Sequence, residues 1–385
     1  MIPLIKFNTG VSGPNLATWH KQSPGFREKV KSLDIPDPPV SQLTPNLGFT
    51  ADVLGKIISK TLLDPWKILP LFILSKYTNK GQTLSQTHPN LHKALQALTT
   101  ISILTALETY LDHRILNNNQ KDHYNWNKEV IIVTGGSTGI GRQIAQQLGA
   151  QEIKVAILDI HPPDPTSTPA LPNSVRFFEC DITSPTQIST TATSILSTLG
   201  RPTILINNAG ICTAQTILSS TPSQTAHMFA VNTFSHYHLA QQFLPDMISQ
   251  NHGMVVTIAS QAGYTVTPNM VDYSASKAAA IAFHEGLAAE LVTRYAAPRV
   301  RTVLVTQGFT RTALIKDLTP EDTWFNPLLW PESVAARVVG QVLTGESGHV
   351  LLPGSAGWVS RRLRGLPGWF QHVLRCRLER LMRAG

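Results

Sequence analysis

Cysteine is scarce in this chain of 385 residues: Cys180, Cys212 and Cys376 stand far apart, with no C-x-x-C spacing among them. The scarcity excludes a disulfide framework and a cysteine-built zinc site, and it suits a reducing compartment. No metal centre is expected. Long apolar runs are missing too. A helix that crosses a bilayer needs roughly 20 predominantly apolar residues. The stretch at 62–77 is broken by Asp64, Pro65, Lys67 and Pro70, and the stretch at 94–107 ends at Glu108. Residues 1–9 hold no apolar core of the kind a cleaved secretory signal carries, so none is expected. There is no internal repeat.

Acidic residues are in the minority, 24 against 32 Lys and Arg, for a formal net charge of +8. The imbalance is local. Residues 1–128 carry 14 basic and 8 acidic side chains, residues 129–355 carry 11 and 15, and residues 356–385 carry 7 and 1. Basic flanks thus enclose a mildly acidic middle. Basic flanks attract nucleic acid or an anionic membrane surface. No zinc finger, RNP-like aromatic motif or basic heptad accompanies them, so nucleic acid is not expected and peripheral membrane contact is. Near the end, Trp369, Phe370, Val373, Leu374, Leu378, Leu381 and Met382 share one helical face, opposite Arg375, Arg380 and Arg383. That is the pattern of a helix lying in an interface. Packing of both flanks on the protein itself is the alternative.

The length exceeds the usual ~100 to 200 residues of one domain. Three parts follow: a helical extension at 1–127, suited to a membrane surface and interrupted by Pro36, Pro38 and Pro39; a catalytic domain at 128–355; and a basic amphipathic tail at 356–385. In the middle part strands and helices alternate, which specifies an α/β fold with a doubly wound parallel sheet of the Rossmann type.

The strongest signal opens that middle part. A short β-branched run at 130–133 leads into T-G-G-S-T-G-I-G (Thr134, Gly135, Gly136, Ser137, Thr138, Gly139, Ile140, Gly141), and residues 142–148 read as a helix. Strand, glycine turn and helix are the setting of a dinucleotide cradle. Gly135 permits the tight turn, Gly139 lets the backbone approach a pyrophosphate, and Gly141 lets helix and sheet pack closely. The helix N-terminus then faces the phosphates. The next apolar run ends in Asp159, whose carboxylate would hold ribose hydroxyls and repel a 2′-phosphate. Ile160 follows it, with no adjacent cation. NAD is therefore expected over NADP.

Far downstream comes a second set. Tyr273 and Lys277 stand four apart in Y-S-A-S-K, 13 positions after Ser260. Interconverting an alcohol and a carbonyl requires a group that gives and takes a proton. A tyrosine with its ordinary pKa near ~10 is a poor base at neutral pH. Positions i and i+4 share a helix face, so the Lys277 ammonium can favour the Tyr273 phenolate. Ser260 would hold the substrate oxygen.

Together these motifs resemble the short-chain dehydrogenase/reductase family over about residues 128–355. The resemblance rests on residues 134–141, on Asn207-Asn208-Ala209-Gly210, and on Ser260, Tyr273 and Lys277. It implies an adenine contact at Asp181, a sheet-bracing and cofactor-lining role for Asn207, Asn208, Ala209 and Gly210, and a relay role for Asn232, completing a tetrad with Ser260, Tyr273 and Lys277. Tyr273 and Lys277 would also contact the cofactor, as would Gly308 and Thr312. The family's Pro-Gly after the sixth strand is here Gln307-Gly308.

Two interruptions complete the pattern. Prolines 162, 163, 165, 169 and 172 mark a surface loop near the adenosine end. The segment 310–331, where the family places its substrate lid, carries Trp324, Phe325, Leu328, Leu329 and Trp330. A lipophilic alcohol, ketone or aldehyde is the expected substrate class. With its basic helical flanks the chain also resembles the membrane-associated retinol and hydroxysteroid dehydrogenase branch. The expected place is the cytoplasmic face of an internal membrane, the endoplasmic reticulum or lipid droplets, with the cytoplasm as the alternative and a homodimer left open. Two other readings are a non-catalytic NAD-binding scaffold at a membrane surface and a nucleic-acid-binding protein. The intact tetrad argues against the first.

Overall fold

Val-Ile-Ile-Val-Thr at 130–134 is buried throughout. A strand that hides both faces belongs inside a parallel sheet covered on two sides. The computed structural model describes residues 50–315 and 323–379. They fall within one compact unit running from Asn46 to Gly385. Its centre is a seven-stranded parallel sheet: β1 (Val130–Thr134), β2 (Lys154–Asp159), β3 (Val175–Glu179), β4 (Ile204–Asn207), β5 (Met254–Ile258), β6 (Arg301–Gln307) and β7 (Gly348–Leu352). The order is β3-β2-β1-β4-β5-β6-β7. The direction of winding reverses between β1 and β4, which opens a crevice at the carboxyl ends of those strands.

Alternate side chains feed two cores. Ile131 and Val133 point to the layer that holds Ile144 and Leu148 of one helix and Val334, Val338 and Val342 of another. Val130 and Ile132 point to the layer of Ile188, Leu239, Phe243 and Leu287. The extension supplies four helices, α1 (Ala51–Lys60), α2 (Pro65–Tyr77), α3 (Asn79–Thr87) and α4 (Pro89–Leu116). The crossover helices are α5 (Gly139–Gly149), α6 (Pro185–Thr198), α7 (Pro222–Phe229), α8 (Ser235–Gln250), α9 (Val271–Thr293) and α10 (Pro331–Leu343), and α11 (Gly354–Arg362) and α12 (Gly368–Arg377) follow β7. The expected doubly wound fold and helical extension are thus present. Residues 1–49 and 380–385, with Pro36, Pro38, Pro39, Arg380, Leu381, Met382 and Arg383, lie outside the described residues.

The extension is fastened at two places. Asp52 accepts hydrogen bonds from Gly354 N (2.8 Å), Ser355 N (2.8 Å) and the Ser355 hydroxyl (2.5 Å). It thereby caps α11 with a carboxylate, which suits the positive end of a helix. At the opposite end of the sheet, Arg301 enters β6 fully buried and donates to Asn117 O (3.0 Å) and Gln120 O (2.8 Å). Beside it the Tyr124 hydroxyl donates to Gly253 O at 2.7 Å. His252 bridges Asp122 (2.8 Å) and Glu129 (3.4 Å).

That bridge makes stability depend on pH. Its carboxylates, Asp122 first in order, raise the His252 pKa to about 9, while the histidine draws both carboxyls below their usual range despite burial. A raised histidine pKa contributes stability that is complete below the unfolded value near ~6.5 and is lost as pH climbs through the folded value. The carboxylate contribution is lost at the other end, as pH falls through their range. We expect His252→Gln to lower the melting temperature most near pH ~6 and least above pH ~9. A melting difference that stays constant across that interval would contradict the bridge.

Among the described residues no helix is long and apolar enough to cross a membrane. Many apolar side chains of α2 and α4 nonetheless face outward, among them Trp66, Leu71, Leu74, Leu104, Tyr110 and Ile115.

Candidate active site

The crevice is built around the turn after β1. Gly135 and Gly139 take positive φ (+62° and +56°), which only glycine adopts freely. Gly141 has no room for a side chain: a Cβ there would lie 2.3 Å from Gly135 O and 2.4 Å from Asn208 Nδ2. Asn208 explains the crowding, since its amide nitrogen donates to Thr134 O (2.9 Å) and Gly135 O (3.2 Å). Thr134 Oγ1 returns the support by accepting from Asn208 N and Ala209 N, both at 3.0 Å. The two motifs, distant in sequence, lock one turn. Thr138 makes no side-chain cap on α5. Its hydroxyl therefore leaves the first amide groups of the helix to another acceptor, as an anion site requires.

At the end of β2, Asp159 is fixed by Ser137 N (3.1 Å) and His161 N (3.3 Å). The proline-bearing loop leaves from here, anchored where Arg142 donates to Pro169 O at 2.9 Å. At the end of β3, Asp181 accepts from Thr183 N (2.8 Å) and the Thr183 hydroxyl (2.7 Å). Thr312 lies against the glycine turn, 3.3 Å from where a Gly139 Cβ would stand. These residues fit a dinucleotide: a glycine turn leading into a helix start without a side-chain cap for the pyrophosphate, and carboxylates at the ends of two strands. Glycine also matters at Gly210, where a Cβ would come within 3.2 Å of Lys277 Nζ and 3.3 Å of Asn232 Oδ1.

The four expected catalytic side chains converge beyond Gly210. Lys277 Nζ donates to Ile258 O at 3.0 Å and lies 5.9 Å from the centre of the Tyr273 ring. Both side chains are buried on α9. Ser260, just past β5, accepts from Ala262 N (3.1 Å) and donates to Gln307 O (3.3 Å). Burial raises the Tyr273 pKa above its ordinary value, the Cys212 thiol beside it adds to the rise, and a hydrogen bond with Ser260 opposes it. Burial also pushes Lys277 down to about 8. The Cys212 thiol is pushed up to about 12, chiefly by burial, and so stays protonated. Asn232 sits in a single π-helical turn, Ala230–Phe234. Its amide is occupied with Ile211 O (2.9 Å), Ser276 Oγ (3.0 Å) and Ile211 N (2.8 Å).

A cavity of about 320 Å³ opens on Ser260 and Tyr273. It is also lined by Ile140, Gly308 and Thr312, and by Phe325, Val359, Leu363, Leu374 and Leu378. Here the structure departs from the expected tail. Leu374 and Leu378 line the cavity, whereas Trp369, Phe370 and Val373 are exposed, so the anticipated single apolar face is divided. The lid aromatics divide as well. Phe325 meets the cavity, Leu329 joins the core, and Trp330 stacks under Arg311 at 4.7 Å. Residues 316–322 of that segment lie outside the described residues. Thr267, Met270 and Phe309 also line the cavity. Nothing in their sequence spacing marks them, because they come from loops and from a helix cap.

Comparisons with known proteins give the family of the chain. The family model described as short chain dehydrogenase matches residues 129–323. Dehydrogenase RED2 of Cochliobolus heterostrophus is 44% identical over 211 residues, covering 54% of this chain and 78% of that protein. Estradiol 17-beta-dehydrogenase 11 of Rattus norvegicus is 32% identical over 255 residues, covering 65% of this chain and 84% of that protein. Among solved structures, a short chain dehydrogenase/reductase from Burkholderia phymatum in complex with NAD superposes with a TM-score of 0.54, at 21% identity, over 63% of this chain and 95% of that one. That last likeness concerns the fold alone.

Proposed function

The chain belongs to the short-chain dehydrogenase family, and we propose that within it this protein oxidises a lipophilic alcohol, or reduces the matching ketone or aldehyde, with NAD. The observation that carries the reading is one cavity lined both by Ser260 and Tyr273 and by the apolar side chains of Phe325, Val359, Leu363, Leu374 and Leu378. Members of the family bind a nicotinamide dinucleotide, and when bound its ring supplies or accepts the hydride. Everything else falls to the chain. Ser260 donates a hydrogen bond to the substrate oxygen, and Tyr273 gives that oxygen its proton or takes it away. Burial by itself keeps the phenol protonated at neutral pH, so proton release needs a cation. Lys277, still largely charged at that pH, is the cation at hand. Asn232 braces Ile211 and Ser276, and through them α9, and so supports the proton relay as its fourth member.

Asp159 supports NAD over NADP, because a phosphate beside its carboxylate would meet like charge without an adjacent lysine or arginine. Asp181 serves the adenine, and Thr312 with Gly308 the nicotinamide end. The test is a panel of lipophilic primary and secondary alcohols given to the purified protein with each cofactor. We expect oxidation with NAD and slower oxidation with NADP. Faster turnover with NADP would overturn the assignment of Asp159, and no turnover of any lipophilic alcohol or carbonyl would overturn the substrate class.

The flanks support attachment to the cytoplasmic face of an internal membrane without crossing it. Their positive charge attracts anionic lipid, and the outward apolar side chains of α2, α4 and α12 supply a second, salt-insensitive hold. High salt should therefore release the full chain from membranes only in part. Deleting residues 356–385 should move a substantial further share to the soluble fraction. A full chain found wholly soluble at low salt would mean that the flanks serve packing alone.

A further inference from the structure

Ser260 stands at the start of a tight turn. Its backbone is extended, and one 3-10 turn, Gln261–Gly263, follows it directly. Ala262 N donates to the Ser260 hydroxyl oxygen at 3.1 Å, and Gly263 N donates to Ser260 O at 3.0 Å. A shift of this turn therefore carries the hydroxyl with it. On one side the turn is pressed against α9. A Cβ on Gly263 would stand 2.6 Å from Ile281 Cδ1 and 3.0 Å from Lys277 O.

The tail supplies further fastenings. Arg364, in the short turn Leu363–Gly365 between α11 and α12, donates from its guanidinium to Gly263 O at 2.8 Å. A charged donor makes the stronger kind of hydrogen bond to a carbonyl. Ser360 of α11 donates to Gln261 Oε1 at 3.3 Å, and the amide nitrogen of the buried Gln261 donates to Leu352 O, at the end of β7, at 2.9 Å. Helix α11 comes so close that a Cβ on Gly357 would lie 3.1 Å from Leu351 Cβ and 3.2 Å from Gln261 Nε2. Asp52 caps the same helix. Asp52, Gly357, Ser360 and Arg364 all lie outside residues 129–323, the stretch that the family model matches. Arg364 is not among the residues lining the cavity. Its hold on Gly263 O is a direct route from the tail to the turn that carries Ser260.

We propose that Arg364 is a positioning residue for the reaction: by holding Gly263 O it fixes the turn at 261–263 and with it the place of the Ser260 hydroxyl, so that the docked tail completes a site whose catalytic groups all precede it in sequence. Ser360 works beside it through Gln261. The proposal rests on the dehydrogenase reading, in which Ser260 holds the substrate oxygen. A hydrogen bond of that kind acts in the transition state and depends closely on where its donor stands. Loosening the turn therefore slows the chemical step and leaves the cofactor and the substrate bound as before.

The test is a double-mutant cycle on the full chain, with NAD and a lipophilic alcohol that the wild type oxidises. Arg364→Ala should lower kcat about tenfold, with KM for the alcohol and affinity for NAD unchanged within about twofold. Arg364→Lys, which keeps a donor, should recover most of that loss. Ser260→Ala should lower kcat about 100-fold. Adding Arg364→Ala to it should cost nothing further, because the group that Arg364 positions has gone. Losses that multiply in the double variant would show Arg364 acting apart from Ser260 and would overturn the proposal. A wild-type rate in Arg364→Ala would overturn it as well, and so would a loss confined to KM, which would assign the effect to the neighbouring Leu363 in the cavity wall. Thermal melts accompany every variant, and a loss that matches an unfolded fraction in Arg364→Ala would count against positioning in the same way. A wild type inert towards every lipophilic alcohol and carbonyl would overturn the dehydrogenase reading, and this proposal with it.

Discussion

Replacing Tyr273 by Phe is expected to lower turnover about 100-fold or more while leaving NAD affinity within a few-fold of the wild type. The ring stays, so the buried contacts with Met228 and Met270 stay. What leaves is, among the described residues, the only phenol that lines the cavity with Ser260. Because the lost interaction belongs to the transition state, kcat and kcat/KM should fall together with little change in KM. Turnover retained within a few-fold would show that the proton comes from another group. Cys212 also lines the cavity, but its thiol is pushed up to about 12 and is a poor acid at neutral pH.

Gly141→Ala is expected to weaken NAD binding by about 100-fold or to prevent folding, although it adds one methyl group. The added carbon would lie 2.3 Å from Gly135 O and 2.4 Å from Asn208 Nδ2. Neither can retreat cheaply: the first is backbone in a turn with positive φ, and the second holds that turn through two hydrogen bonds. Gly340→Ala is the control. Nothing stands within 4 Å of its Cβ position, and it lies inside α10, where alanine is the better helix former. Thermal melts and NAD titration of both variants separate a cofactor effect from a folding effect. Normal NAD affinity in Gly141→Ala would mean that the turn after β1 is not the cradle.

Much of this site was legible in the sequence because its parts are local. A β-branched run, positions that demand glycine and a helix start occupy one short segment, so residues 134–141 announce strand, turn and helix by themselves. Tyr273 and Lys277 are legible for the same reason, being one helical turn apart. The alternation of strands and helices likewise gave the parallel sheet. Partners brought together only by the fold were hidden. His252, Asp122 and Glu129 meet at the base of the sheet across more than a hundred residues, and Asp52 caps a helix that begins at Gly354. The period of residues 369–378 revealed an apolar face but not its neighbours, and the fold turns Leu374 and Leu378 to the cavity while leaving Trp369 outside. In the lid segment composition suggested a lipophilic pocket, yet Leu329 and Trp330 answer to the core and to Arg311. The burial of Tyr273 and Lys277 was also beyond spacing. It pushes the phenol pKa up and the ammonium pKa down, opposite to the simple pairing of charges that i and i+4 suggests.

The most direct measurement of the central claim follows a single atom. A lipophilic secondary alcohol deuterated at the carbinol carbon is incubated with the full chain and NAD, and the nucleotide is recovered and weighed by mass spectrometry. The account predicts reduced nucleotide carrying one deuterium, formed by the wild type and about 100-fold more slowly by Tyr273→Phe. Nucleotide recovered unlabelled and unreduced, from protein that binds NAD and across primary and secondary alcohols alike, would contradict it and leave a cofactor-binding scaffold in its place.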